Sequence, residues 1–289
     1  MIWDKEAEEA LELLPVPPIM GPYAHLHAEK IARHRGLDRV TAAVVKETAK
    51  VYADFMGKEK TEQLKAFLAG TGPMPEMEDE LFFNDDTAFY TIETCFTKYG
   101  ENSDLVRNAL KDMMRSITAI MQEEKLTEVM ADLTTGALHG AGRFKLGMTG
   151  CPNCCVSPHM KDFGIIMQHK VAITDAECTQ CGECLKMCLD KAIHLTADGP
   201  VIDRAKCVMC ELCARDCATG KLTVHERAWR VIAGGGGGHH PTLAVTIEDF
   251  TTKERVLTIL KNAIARLRNA PPDGSLKALI EKEGRDAIR

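Results

Sequence analysis

The chain has 289 residues, 45% of them apolar, and a net charge of -6, enough for two or three modules with ordinary cores. The acidic balance argues against a nucleic-acid partner, because phosphate binding draws on clustered excess Lys and Arg. No run of 18 apolar residues occurs, so any membrane association is expected to come through a partner rather than by direct insertion.

Residues 1–55 read as a small helical domain. Asp4 is placed to cap a helix carrying Ala7, Ala10, Leu11 and Leu14, which Pro15, Pro17 and Pro18 then stop. A second helix through His27, Ile31 and His34 ends at Gly36, and a third begins after Thr41 with Val44, Val45, Ala49 and Tyr52. His25, His27 and His34 are read as surface or packing residues, since His25 and His27 do not share a helix face. Trp3, Glu6, Ala7, Leu11, Leu14, Pro15, Glu29, Ala32, Gly36, Val40, Thr41, Val44 and Val45 give this stretch its resemblance to the short helical domain at the C-terminus of one component of light-independent protochlorophyllide reductase. The resemblance is diffuse and is equally compatible with a docking module.

Residues 56–92 are weakly patterned, with Gly, Pro and acidic residues from Gly70 to Asp86, and read as a linker or surface segment. From Ser103 a helix is expected, with Val106, Leu110, Met113, Ile117 and Met121 on one face. Its methionines are read as core fillers.

Twelve cysteines follow no secreted pattern: there is no apolar N-terminal signal segment, and the spacings are those of metal ligands. A reducing, cytoplasmic compartment is the expectation. Cys-x-x-Cys-x-x-Cys-x-x-x-Cys occurs twice, as Cys178, Cys181, Cys184, Cys188 and as Cys207, Cys210, Cys213, Cys217. In two-cluster ferredoxins the fourth cysteine of each run serves the other cluster. Cys178, Cys181, Cys184 and Cys217 are therefore expected around one 4Fe-4S cluster, and Cys207, Cys210, Cys213 and Cys188 around the second. Zinc fits less well, because it takes four ligands from two well-separated pairs. Leu189 and Ala218 replace the proline that usually follows each run. These residues define a ferredoxin insert over 171–225.

Past the insert, Ala233 to Pro241 reads as a glycine loop, followed by a strand near Leu243 to Ile247. Thr251 and Glu254 form a capping-box pattern for a helix with Val256, Leu260, Ile264 and Leu267. The pentaglycine is not a dinucleotide fingerprint, since no strand-loop-helix unit surrounds it.

The remaining cysteines are Cys95, Cys151, Cys154 and Cys155. The run from Arg143 and Lys145 to Gly150, Cys151, Pro152, Asn153, Cys154 and Cys155, followed by Asp162-Phe-Gly-Ile-Ile, resembles the second half of the 4Fe-4S and sirohaem motif of sulfite and nitrite reductases. Gly234 to Pro241 is similar to that family's glycine-rich loop ending in His-Pro. A ferredoxin insert between the two is typical of its anaerobic and dissimilatory subunits. The resemblance implies an α+β fold: a sulfite reductase-like 4Fe-4S α/β domain over 93–170 and 226–289, interrupted by the insert. It implies a third 4Fe-4S cluster on Cys95, Cys151 and Cys155, with Cys95 and the following Lys98-Tyr-Gly100 matching the second cysteine of an upstream pair whose first member is here Phe89. Cys154 is either the fourth ligand or a buried inert thiol. It further implies a sirohaem bridged through Cys155, with Gly234, Gly235, Gly238 and His239 beside the cofactor, and with Arg143 and Lys145 holding its carboxylates and a small oxyanion. Without the family's N-terminal half, two readings stand beside a sulfite or nitrite reductase subunit: a sirohaem-free electron-transfer subunit, and an assembly or tetrapyrrole-handling subunit. Each implies a redox partner protein or other subunits of a complex.

Overall fold

The structure is a computed structural model that describes residues 1–16, 20–56, 58–73, 75, 88–95, 103–138 and 142–289. Pro17, Pro18, most of the acidic stretch before Asp86, and Lys98-Tyr-Gly100 lie outside these residues. The chain divides into two compact units, one of residues 1–91, 122–144 and 267–274, the other of 92–121, 145–266 and 275–289.

The first unit opens with β1 (Ile2–Trp3), α1 (Lys5–Glu12), α2 (Gly21–His34), β2 (Arg39–Val40), α3 (Ala42–Met56) and α4 (Lys58–Leu68). Asp4 stands at the N-cap of α1 but makes no side-chain cap bond; its carboxylate instead accepts from Arg39, beside the parallel pairing of β1 and β2. Leu14 falls beyond the end of α1 yet is buried with Ala7, Tyr23, Ala24, Val44, Val45 and Tyr52. Gly36 ends α2 as expected: at φ +68° it turns the chain so that Leu37 N–H reaches the Ala32 carbonyl at 3.0 Å. α4 occupies part of the stretch that reads as a linker, and buries only Thr61 and Leu64.

Next come β3 (Tyr90–Cys95), α5 (Ser103–Glu123) and α6 (Leu126–Leu133). The expected face of α5 is buried throughout, Met113 and Met121 included. Lys125, at φ +50°, breaks the path between α5 and α6. The chain continues through β4 (Phe144–Thr149) and β5 (Phe163–Ile173), then α7 (Glu183–Met187), β6 (Ile193–Thr196), β7 (Gly199–Ile202) and α8 (Leu212–Arg215). It ends with β8 (Leu222–Ala233), β9 (Val245–Thr251), α9 (Lys253–Arg268) and α10 (Leu276–Glu283).

The main sheet has the order β3-β4-β5-β8-β9. β4 and β5 are parallel, while β5, β8 and β9 are antiparallel neighbours. The cysteine-rich insert leaves from the end of β5 and returns at the start of β8, where Ile173 pairs with Leu222. One ladder therefore clamps both of its ends. Asp162 fixes the start of this arrangement: its half-buried carboxylate accepts the Lys145 N–H at 2.8 Å, while its carbonyl accepts the Gly234 N–H. Burial pushes the Asp162 carboxyl up, against the pull of that bond. The expected strand near Leu243 lies slightly later, at Val245–Thr251. The capping pattern moves with it: Thr251 ends β9, and Thr252 accepts the Arg255 N–H at 3.3 Å to start α9. No described helix is long and apolar enough to cross a membrane.

Candidate iron-sulfur sites

Each Cys-x-x-Cys-x-x-Cys run wraps because two of its residues adopt left-handed backbone at the same places. In the first run these are Gln180 (φ +55°) and Gly182 (φ +76°); in the second, Met209 (φ +61°) and Glu211 (φ +65°). Each loop then enters a short helix, α7 or α8. The thiols line two separate cavities. Cys178, Cys181, Cys184 and Cys217 line one, enclosing ≈ 360 Å³ including its mouth. Cys188, Cys207, Cys210 and Cys213 line the other, enclosing ≈ 350 Å³. The runs thus exchange their fourth cysteines. Among the described residues, no three His, Cys, Asp or Glu side chains converge on a single ion-sized point.

The electrostatics suit a positively charged occupant. Burial, with the charges of Cys210, Cys207 and Cys188, pushes the Cys213 thiol up to about 12. Burial likewise raises Cys184 and Cys210, opposed by backbone N–H groups and reinforced by neighbouring thiols. Protein alone disfavours four thiolates in one cavity, and a bound metal cluster would offset that cost. Backbone N–H donors are already aimed at sulfur, from Ala192 to Cys188 at 3.1 Å and from Leu222 to Cys217 at 3.4 Å. Burial alone would raise Cys217, but donors from Leu222, Thr219 and Lys221 bring it below its ordinary value.

The third group gathers at the end of β3 and in the loop after β4. The Cys95 and Cys155 thiols lie within hydrogen-bonding reach. Burial, then Cys155 and Cys151, push the Cys95 thiol up to about 11. Burial also raises Cys151, against a backbone N–H from Asn153. Asn153 donates its side-chain amide to Cys155 Sγ at 3.0 Å, and Cys155 is exposed. Cys154 adopts a left-handed backbone, φ +54°. Burial raises its thiol, with the Thr149 side chain at the end of β4 acting in the opposite direction.

The other candidates take different places. Arg143 is buried in the first unit with its guanidinium over the Tyr23 ring, 5.5 Å from the centroid. Lys145, in the second unit, is exposed on β4. The glycine loop packs on its own chain: a Cβ on Gly235 would stand 2.3 Å from the His159 carbonyl oxygen and 2.7 Å from that of Lys161. Gly234 needs its positive φ of +82°, whereas Gly238 has open space around it and His239 is exposed. His25 stacks on Trp3, 4.2 Å between ring centroids, and His34 lies 3.4 Å from Asp132. His27 is buried against Tyr52. Sequence reasoning passed over His169, Glu211 and Arg227, which meet between the cysteine loops. The signal was present: Gln168, His169 and Lys170 interrupt an otherwise apolar strand, and Glu211 stands where the first run has Gly182.

Residues 106–287 match the model of the nitrite and sulphite reductase 4Fe-4S domain. The chain belongs to that family. It therefore has an iron-sulfur redox role built on at least one 4Fe-4S cluster, and the thiol-lined sites fit such a group. The coenzyme F420-dependent sulfite reductase of Methanocaldococcus jannaschii is 34% identical over 56 residues, covering 19% of this chain and 9% of that protein. An uncharacterized protein of the same organism is 28% identical over 151 residues, 51% of each chain. The chain thus spans about half, or far less, of the length of these curated relatives. The crystal structure of dissimilatory sulfite reductase I aligns with a TM-score of 0.46 at 16% identity, over 68% of this chain and 50% of that one.

Proposed function

We propose that the chain is an electron-transfer component of the sulfite and nitrite reductase type, with two 4Fe-4S clusters in the insert and a third on Cys95, Cys151 and Cys155. The observation that carries this reading is the pair of cavities walled by exchanged cysteines. Bound clusters of this kind store and release single electrons. The protein's part is to supply the thiolates and aim N–H donors at their sulfurs. The N-terminal helices, which resemble the protochlorophyllide reductase module, serve in this reading as a docking surface for a redox partner or further subunits.

A second reading, reduction of sulfite or nitrite at a sirohaem, is favoured by one feature. Cys155 leaves its sulfur exposed while Asn153 holds it from one side. Arg143, Gly235 and His239 add no support, since Arg143 packs on Tyr23, Gly235 packs on the chain's own carbonyls, and His239 is exposed. Metal analysis and an absorption spectrum of anaerobically purified protein test both readings. About 12 Fe per chain is expected from three clusters, with no Soret or red haem band. About 8 Fe would remove the third site; a haem band would select the second reading.

A further inference from the structure

His169 lies in β5, fully buried, where the loop of the third cysteine group meets the loop of the second insert run. Its backbone N–H donates to the Met209 carbonyl at 2.8 Å, next to Cys210, with which His169 forms an isolated bridge. Its ring Nε2 is 2.8 Å from the Gly150 carbonyl, next to Cys151. A carbonyl only accepts, so Nε2 carries the proton, and Nδ1 of the neutral ring accepts from Arg227 Nε at 3.2 Å. Burial favours this neutral form.

Glu211 completes the fastening. It adopts φ +65° where the corresponding position of the first run is Gly182. A side chain there is disfavoured relative to glycine. That position brings a carboxylate against the same corner, where Arg227 Nη2 holds it at 3.5 Å; it also stands 3.2 Å from His169 Nδ1, which already accepts from Arg227 and makes no bond to it. At the matching position the first run keeps its glycine. Both runs carry a non-glycine residue at their first left-handed position, Gln180 and Met209, so Glu211 against Gly182 is where the two loops differ.

We infer that His169 is a positioning residue for electron transfer, joining the Cys210 loop to the Cys151 loop through its backbone N–H and its ring. The inference rests on the proposed three-cluster reading. The route it defines runs from Cys210 through the Met209 carbonyl, His169 and the Gly150 carbonyl to Cys151. One electron leaves the cluster walled by Cys188, Cys207, Cys210 and Cys213 and enters the third site. No proton or bond changes hands along the way.

The test uses full-length protein purified anaerobically, wild type, His169→Leu and His169→Gln. A light pulse delivers less than one electron per chain from a photoreductant, and freeze-quench EPR follows its redistribution between clusters. The phase that is independent of reductant concentration reports intramolecular transfer. With iron content unchanged, His169→Leu is expected to slow that phase about tenfold or more. His169→Gln, whose amide can still donate to Gly150, is expected to stay close to wild type. If His169→Leu loses iron, His169→Asn takes its place, since its shorter amide stops short of Gly150 and the same slowing is expected. An unchanged rate in a fully loaded Leu or Asn variant overturns the inference and leaves the three-cluster reading standing. About 8 Fe in the wild type overturns both.

Discussion

Cys154 and Cys155 are neighbours in sequence that answer to different partners. Cys154 has a left-handed backbone and a thiol raised by burial, while Cys155 lies with Cys95 and the Asn153 amide. On this geometry Cys95→Ala should lower iron by about four atoms per chain, whereas Cys154→Ala should leave iron content and cluster spectra intact. Equal losses in both variants would make Cys154 the fourth ligand. No loss in either would remove the third site. Spacing could nominate all four cysteines but could not choose between adjacent ones, because the choice turns on one backbone angle. Arg143 marks a similar limit. An alternating pair of basic residues reads as a charged strand, yet Arg143 is buried over an aromatic ring contributed from a distant part of the sequence.

At the scale of elements, the glycine loop after β8 is a packing joint. Gly235 lies against two backbone carbonyls that cannot swing away, while nothing approaches Gly238 within 4 Å. Gly235→Ala should therefore cost more than about 2 kcal/mol of stability, and Gly238→Ala little, as read by denaturant unfolding of the loaded protein. Equal effects would return the loop to the role of a plain tether. Helices with a full apolar stripe, such as α5, were legible from their period, as were the turns at Gly36 and in the insert. α4 was not, because it buries a single turn and leaves Phe67 and Leu68 exposed. β3 and α6 escaped because short elements owe their form to neighbours rather than to pattern. The cap of α9 was displaced by one residue because consecutive threonines, Thr251 and Thr252, offer the same chemistry, and β9 claims the first.

At the scale of the molecule, the first unit carries a buried group that makes it sensitive to acid. His27, buried in the first unit, is lowered to about 4, mainly by burial and then by the Lys30 charge. The unfolded chain binds more protons than the fold between that value and the ordinary 6.5, so stability rises with pH across this window. The contribution is complete above pH 6.5 and is lost as pH falls towards 4, by roughly 3 kcal/mol. Thermal unfolding of His27→Gln should show a flatter acid slope than wild type; an identical slope would mean that His27 does not titrate as its burial demands. The exchanged cysteines of the insert carry a consequence for biosynthesis. A ribosome releases residue 178 first, but the wall built on Cys178, Cys181 and Cys184 lacks its last member until Cys217 emerges. The other wall closes at Cys213. The cavity begun first is thus the last that a nascent chain can finish, and a chain stalled between residues 213 and 217 presents one complete binding site beside three unsatisfied thiols.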